Sequence, residues 1–326
     1  MIFIVAPAPD RLVLFGSEDQ PTRMEMFDWL VHQRLGEVLA AWAADVAGIS
    51  IADRAGVLAV AGIILLIALA IGWLLIDVTC ATREWAKPEL CVFSLAVGLN
   101  ALSLLTLAIG LLALSQNPLA YGAPIVVGVG LAIWRYVGQV AKPPQTQSLP
   151  KASRKTWPTD WLPSTALWLA APFIVVILAG AMLPPREFDV REYHLQAPKE
   201  WFEQGGITFV PHNVYANMPL GPQILSMPAM AVMPGEHAWW WGAMVGKVII
   251  ASYSVMTMFL LFAAGRRFFG NTAGVAASLV YISMPWIAFV SIEGYVDGAL
   301  ACNVFLAVYA VMIWRTHQGK RQARSA

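Results

Sequence analysis

Long apolar runs dominate the pattern of the chain, and short polar segments separate them. Seven runs have the length and composition of a membrane span, and they cover approximately 56–77, 90–114, 119–140, 164–183, 239–264, 272–290 and 298–314. A helix needs about 20 apolar residues to cross a hydrocarbon core of roughly 30 Å. The pattern therefore predicts an all-α fold, a polytopic transmembrane helical bundle of about seven spans.

The composition fits a chain whose solvent is lipid. Of its 326 residues, 58% are hydrophobic and only 13% are charged, whereas about a quarter of an ordinary soluble domain is charged. A soluble enzyme is therefore excluded. The 21 Lys and Arg residues against 20 Asp and Glu residues give a formal charge of +1, so no basic field would attract nucleic acid, and we expect no nucleic-acid partner.

Polar segments divide the chain into five predicted parts. The longest apolar runs fall into two groups, which a proline-rich stretch separates. The parts are an external or interfacial segment at 1–55 with an amphipathic helix at 24–47, an N-terminal three-span unit at 56–140, a proline-rich cytoplasmic linker at 141–163, a four-span unit at 164–314 and a basic cytoplasmic tail at 315–326. The four-span unit contains a long external loop, 184–238, in which we expect short interfacial helices.

The distribution of lysine and arginine predicts the orientation. Basic residues follow the third, fifth and seventh runs, which places those segments in the cytoplasm, because short cytoplasmic loops carry an excess of Lys and Arg. Alternation then puts the loop 184–238 and the short segment 293–297 outside. A cytoplasmic N-terminus with a different span count is the alternative.

The external loop carries a concentration of acidic and aromatic residues directly after a span. Charges in such a place are usually solvated, and Trp239, Trp240 and Trp241 are typical of an aromatic belt at the lipid interface. Two features favour chemistry instead. A second acidic segment, Glu293 to Asp297, belongs to the same predicted face, and Asp297 adjoins an apolar run where an unused acid would be costly. We therefore expect Asp189 and this segment to lie close together.

The order of residues in the loop resembles a known family. The matching positions are Phe188-Asp189, Tyr193-His194-Leu195, Pro198-Lys199, Trp201, Gly205-Gly206, Pro211-His212-Asn213 and Asn217-Met218-Pro219. They are similar to the first external loop of integral-membrane glycosyltransferases of the GT-C class, and more narrowly to the bacterial RgtA/B/C/D-like relatives of protein mannosyltransferases and lipid A aminoarabinose transferases. Glu293-Gly294-Tyr295-Val296-Asp297 resembles the second acidic segment of that family. The resemblance covers about residues 164–314.

The resemblance implies a glycosyltransferase of the bacterial inner membrane with its active site on the external, periplasmic face. It would move a sugar from a polyprenyl-phosphate donor to a lipid, glycan or protein acceptor. Asp189 would be the general base or would orient the acceptor, with Glu192 and His194 as supporting polar groups. The implied substrate-binding residues are Arg191, Tyr193, Lys199, Asn213, Asn217 and Tyr295, of which Arg191 and Lys199 would face the donor phosphate. Glu293 and Asp297 could hold a divalent cation such as Mg or Mn.

Two departures from the family leave alternatives open. The loop follows the fourth predicted span rather than the first, and the chain stops after the seventh. We expect either a truncated or split reading frame, or a reduced homologue that needs a partner chain with further spans. The alternative function is a non-catalytic polytopic protein, an assembly partner or a transporter component. A transporter would carry charges inside its spans, whereas here Lys247 is predicted to snorkel from near an external end, and Glu200 to lie on the solvated face of the loop.

The predicted orientation can be tested by labelling single cysteines in intact cells with a membrane-impermeant maleimide. Cysteines placed in 205–215 should react, and cysteines placed in 145–155 should react only after the membrane is opened, because the first range is predicted outside and the second inside. Labelling of 145–155 in intact cells would overturn the orientation.

Overall fold

The computed structural model of the protein describes residues 51–79, 86–140 and 162–325. Throughout these ranges the regular secondary structure is helical, and no strand occurs in them. The predicted amphipathic helix at 24–47 and nearly all of the predicted linker lie outside the described residues. The all-α prediction is confirmed for the part of the chain that the structure describes.

Ten α-helices follow one another along the described ranges. They are α1 (Ile51–Thr79), α2 (Lys87–Leu111), α3 (Pro118–Val140), α4 (Ala171–Ala181), α5 (Gln196–Glu203), α6 (Ser226–Val232), α7 (Ala238–Phe268), α8 (Asn271–Ile282), α9 (Pro285–Glu293) and α10 (Asp297–Ser325). Short 3₁₀ segments, Ser164–Ala170, Tyr215–Asn217 and Gln223–Leu225, and one π-helical turn, Val190–His194, complete the helical structure. The predicted basic tail is thus a continuation of α10 to Ser325.

The helices fit a multi-pass membrane protein. Within the described ranges, six helices are long and apolar enough to cross a membrane, or seven if the bent pair α8–α9 is one span. Five of the six are α1, α2, α3, α7 and the first part of α10, and the sixth joins the 3₁₀ segment Ser164–Ala170 to α4. The predicted polytopic helical bundle is confirmed, and the interfacial helices α5 and α6 lie in the predicted loop.

The sixth predicted span, 272–290, is broken in the middle. Helices α8 and α9 meet at an angle of 57°. Pro285 begins α9, and Met284 before it is extended, with φ −68° and ψ 123°. Proline lacks a backbone N–H and disfavours the helical conformation of the residue before it, so α8 ends there and α9 starts in a new direction.

Helix α7 lies at the centre of the bundle. It packs against α1, α2, α4, α6, α8, α9 and α10, and it is the most buried of the candidate spans in the described ranges. The predicted three-span and four-span units therefore share one hydrophobic core. Helix α3, by contrast, presents most of its surface outward, including the side chain of Trp134.

Helices α1 and α2 approach closely through two glycines. A Cβ at Gly98 would lie 1.7 Å from the Ala68 carbonyl oxygen, and a Cβ at Gly72 would lie 1.8 Å from the Ser94 carbonyl oxygen. Small residues allow this backbone contact, which drives association of helices in lipid, where van der Waals packing replaces the hydrophobic effect.

A cluster of polar side chains ties three spans together at the predicted cytoplasmic end. The Arg267 guanidinium donates to both carboxylate oxygens of Glu89, at 3.0 and 2.8 Å. The Tyr309 hydroxyl donates to Glu89 Oε1 at 2.5 Å. The cluster joins α2, α7 and α10, and Glu89 itself is buried.

The loop 184–238 and the segment 293–297, both predicted to be external, meet at the opposite end. The turn between α2 and α3 contacts the long loop through main-chain bonds from Ser115 N to Gly205 O at 3.0 Å and from Ile207 N to Gly110 O at 2.9 Å. The segment between α9 and α10 also contacts this loop, through Glu293 and Arg186. The loop 184–238, the segment 293–297 and the turn between α2 and α3 thus share one end of the bundle.

The helix contact at Gly98 gives a test of the packing. Gly98→Ala should lower the free energy of unfolding by about 1–3 kcal/mol, because the added methyl overlaps a backbone oxygen that cannot move independently. The thermal midpoint of the purified protein in detergent measures the effect. Gly62→Ala is the matched control: its Cβ would meet nothing within 4 Å, so stability should be unchanged or slightly higher. Equal effects of the two substitutions would contradict the close contact.

Candidate functional site

The loop 184–238 is a folded unit at one end of the bundle. Trp201, Val210, Leu220, Ile224 and Met227 belong to a second buried cluster that holds the loop together. The Trp201 indole N–H donates to Thr208 O at 2.8 Å, which fixes the chain after Gly205 turns it with φ +80°. Polar side chains at the start of the loop are therefore presented by a defined backbone.

The structure brings the two predicted acidic segments together. The Arg186 amide donates to Glu293 Oε2 at 2.8 Å, and the Tyr295 hydroxyl donates to Glu187 Oε2 at 3.4 Å, a long bond. Glu293 is the last residue of α9 and Tyr295 follows it, whereas Arg186 and Glu187 follow α4. The start of the loop and the second acidic segment consequently form one site.

His194 lies at the back of this site. Its side chain is 6% exposed, and Gln223 Nε2 lies 2.9 Å from His194 Nδ1. Since the Gln223 amide nitrogen is placed as a donor, Nδ1 accepts and the ring proton belongs to Nε2. Burial lowers the pKa of His194, and the negative charges of Asp189 and Asp297 partly oppose this shift. The imidazole is therefore neutral at pH 7.

The phenols beside His194 stay protonated. Burial raises the pKa of Tyr295, and the charges of Glu187, Asp189 and Glu293 raise it further. Burial also raises the pKa of Tyr193, with smaller contributions from Asp189, Tyr215 and Asp297. The predicted substrate-binding residues Tyr193 and Tyr295 are thus hydrogen-bond donors around a group of carboxylates.

Aromatic rings pack in a continuous row around His194. The ring centroid of Tyr193 is 4.3 Å from that of His194 and 5.2 Å from that of Tyr215. The His194 centroid is 6.0 Å from that of Tyr295. The row fixes the imidazole between the two acidic segments, whose Asp189 and Asp297 carboxylates are both exposed to solvent.

Other predicted site residues differ in how they are placed. Arg191 and Glu192 are exposed at the site's edge. Asn213 is buried and donates to Glu192 O at 2.7 Å. Both polar atoms of the Asn217 side chain bond the loop backbone, with Val210 N and Val210 O each at 2.9 Å. The two asparagine amides therefore hold the loop's own backbone.

Lys199 and Glu200 depart from their predicted surroundings. The Lys199 ammonium lies 4.0 Å from the ring centroid of Trp239 and 3.9 Å from Glu203 Oε1, which places it at the interfacial tryptophans. The Glu200 side chain is only 12% exposed and accepts from Gln196 Nε2 at 2.8 Å. The prediction that Glu200 lies on the solvated face was wrong, because α5 directs the Glu200 side chain toward the rest of the loop and away from solvent.

The prediction that Lys247 snorkels was also wrong. The side chain is 1% exposed, and its Nζ donates to Leu183 O at 2.7 Å, at the end of α4. Together with Arg186 and Glu187, Lys247 is a residue of the site that the sequence reasoning missed. Its positive charge inside the apolar stretch of α7, well before Arg266 and Arg267 at the helix end, is the signal that could have pointed to it.

The predicted metal pair is not assembled into a ligand set. Glu293 is buried and occupied by Arg186 N, whereas Asp297 is exposed. Across 51–79, 86–140 and 162–325, no three His, Cys, Asp or Glu side chains form a group that could hold a metal ion. The predicted Mg or Mn cation thus has no group of three ligands in the described part of the chain.

An apolar groove adjoins the site. It encloses about 450 Å³ between the outer half of α2 and the loop. Leu104, Leu107, Phe209 and Ile224 are among its lining residues. Ile224 directly follows Gln223, whose side chain contacts His194. The groove and the acidic site are therefore joined through one short stretch of the loop backbone.

No protein-family model, no curated protein and no solved structure matches this chain. The functional argument therefore depends on the residues, on their geometry and on the motif resemblance of the loop.

The lowered pKa of His194 predicts that the protein loses stability on acidification. The unfolded chain takes up a proton near the ordinary histidine pKa of about 6.5, while the folded protein takes it up only at lower pH. Unfolding is therefore favoured as pH falls below about 6.5, until the folded-state pKa is passed. The thermal midpoint in detergent between pH 7.5 and pH 5 measures this.

His194→Gln should weaken that pH dependence, since the replacement does not titrate. His237→Gln, at an exposed position before α7, is the control and should leave the difference between pH 7.5 and pH 5 as in the wild type. A His194→Gln protein with the full wild-type pH dependence would contradict the assignment.

Proposed function

We propose that the protein is a membrane glycosyltransferase that takes its sugar from a polyprenyl-phosphate donor. The carrying observation is the convergence of Glu187, Asp189 and Asp297 around neutral His194 and protonated Tyr295 at the predicted external end of the bundle. Carboxylates beside neutral donors suit the deprotonation of a hydroxyl and the binding of a sugar. The GT-C resemblance of the same loop supports this reading.

Asp189 is the proposed base or acceptor-orienting group. The acceptor hydroxyl oxygen forms a bond to the anomeric carbon of the donor sugar, and the bond from that carbon to the phosphate oxygen breaks. The proton of the hydroxyl passes to the Asp189 carboxylate, and polyprenyl phosphate leaves with the bonding electrons. Because Asp189 is exposed, an incoming hydroxyl can reach it without rearrangement of the core.

Two arginines suit the negative charge of the donor phosphate. Arg186 and Arg191 are exposed beside Asp189, and neither forms an ion pair with any described residue. Positive charge at the leaving phosphate stabilises the charge that develops in the transition state. Lys199 is the less suitable of the predicted phosphate-binding residues, since its ammonium packs on Trp239.

A lipid-linked substrate also suits the surroundings of the site. The apolar groove beside α2 has room for part of a hydrocarbon chain, and part of its lining comes from the loop that carries Asp189. Its lining is apolar, as expected of a surface that contacts a lipid tail. The acceptor is a lipid, glycan or protein hydroxyl on the same side.

The proposed location is the bacterial inner membrane with the site on the external face. The lysine and arginine distribution supports this orientation. The chain is proposed to act either alone or with a partner chain that supplies further spans.

Asp189→Asn tests the proposal directly. The amide keeps the shape of the side chain but cannot accept the proton, so transfer should fall by a factor of about 10²–10⁴. Transfer of labelled sugar from a polyprenyl-phosphate donor is measured in membranes, with protein abundance checked by blotting. Glu236→Gln is the control, because Glu236 is exposed in the turn before α7, and it should retain wild-type transfer.

Unchanged transfer in Asp189→Asn would remove this residue from the mechanism. Equal losses in Asp189→Asn and Glu236→Gln would indicate a general disturbance of the loop. If the wild-type chain transfers no sugar even when a partner chain with further spans from the same membrane is supplied, the result would favour the non-catalytic alternative.

A further inference from the structure

The segment between α4 and the acidic site, residues 184–187, has no regular secondary structure that would fix its position. Residues 184 and 185 are both prolines, which have no backbone N–H. The four residues 184–187 form no helix or strand. Their position must therefore come from contacts outside the segment.

Two buried charged side chains supply those contacts. On the α4 side of the prolines, Lys247 Nζ donates to Leu183 O at 2.7 Å. On the other side, Glu293 Oε2 accepts from Arg186 N at 2.8 Å. The two bonds thus hold the carbonyl oxygen of Leu183, just before Pro184-Pro185, and the amide of Arg186, just after them.

The two side chains also carry opposite charges into the same buried region of the protein. Lys247 is 1% exposed and Glu293 is 4% exposed, so both charges are taken out of water. Each buried charge depends on the other, because an uncompensated charge in the interior is costly.

Gly294 allows the chain after Glu293 to pack closely against Lys247. It adopts φ +97°, and a Cβ there would lie 3.1 Å from Lys247 Cγ. The turn after Glu293 consequently packs directly on the stem of the lysine. Glycine is suited to both demands, the left-handed backbone and the close approach.

We propose that Lys247 and Glu293 are a positioning pair, which fixes residues 183–187 and thereby sets where Glu187 and Asp189 stand. Neither side chain touches the substrate. The consequence for catalysis rests on the proposed function, whereas the positioning itself rests on the geometry alone. The pair acts on the reaction only through the backbone that it holds.

The positioning is tested with a buried reporter that needs no activity. Val190 follows the held segment and is fully buried. Val190→Cys is introduced into the protein with its native cysteines replaced by serine, and its labelling rate by a maleimide is measured in detergent. Met227→Cys, equally buried but in the other cluster of the loop, reports any general loosening.

Loss of either side chain should free the segment locally. Glu293→Ala and Lys247→Met should raise the labelling rate at position 190 about tenfold or more, as expected for loss of a charge-assisted hydrogen bond, and leave position 227 unchanged. Glu293→Gln keeps an oxygen acceptor for Arg186 N and should label more slowly than Glu293→Ala. Ser252→Ala, a buried residue of α7 that bonds its own helix, is the control and should have no effect.

The double variant Lys247→Met with Glu293→Gln tests the charge pairing. It removes both charges, so it should label position 190 more slowly than Lys247→Met alone. A rate equal to or above that of Lys247→Met would overturn the pairing. Unchanged labelling at 190 in both Glu293→Ala and Lys247→Met, or equal increases at 190 and 227, would overturn the positioning role.

Transfer kinetics separate this inference from the proposed function. In an active protein, Glu293→Ala should lower kcat with little change in KM, and Glu293→Gln should recover part of the loss, since the misplaced group is the base rather than the binding surface. Absence of transfer in the wild type would overturn the glycosyltransferase proposal, while the labelling rates would still decide the positioning.

Discussion

Hydrocarbon offers no partner to a polar group, and this constraint places the bonded charged side chains of the described spans toward the two ends of the bundle. Glu89, Arg267 and Tyr309 satisfy one another at the predicted cytoplasmic end. Lys247 and Glu293 satisfy main-chain atoms at the opposite end. The most buried helix, α7, carries a cation of each cluster, so a single element links the two polar layers of the fold.

The architecture could be predicted because it follows from local patterns. Apolar runs of span length predict helices in lipid whatever their neighbours are, and Pro285 within such a run accounts for the break between α8 and α9. Helix limits were less predictable: the run at 90–114 becomes a helix that ends at Leu111. Here the main-chain bonds to Gly205 and Ile207, far away in sequence, hold the turn.

The site was predictable only in part. The acids Asp189, Glu293 and Asp297 were located from their positions beside spans, because topology alone places those positions at one face. Which way a side chain points was not predictable in the same manner. Lys247 turns inward and Glu200 packs against the loop because of contacts that no spacing encodes. Likewise, nothing in the sequence links Gln223 to His194, since the loop core decides that pairing.

The two ends of the bundle differ in how freely they can move. At the predicted cytoplasmic end, charge-assisted bonds cross three spans, and such bonds are about twice as strong as neutral ones. At the other end, neutral main-chain bonds attach the loop to the end of α2 and to the α2–α3 turn, and the charge-assisted bonds of Lys247 and Glu293 hold only its first residues. The later part of the loop is therefore expected to fluctuate more than the helix ends around Glu89. Under the proposed function, a lipid-linked substrate would therefore be admitted at the loop end of the bundle rather than at the end around Glu89.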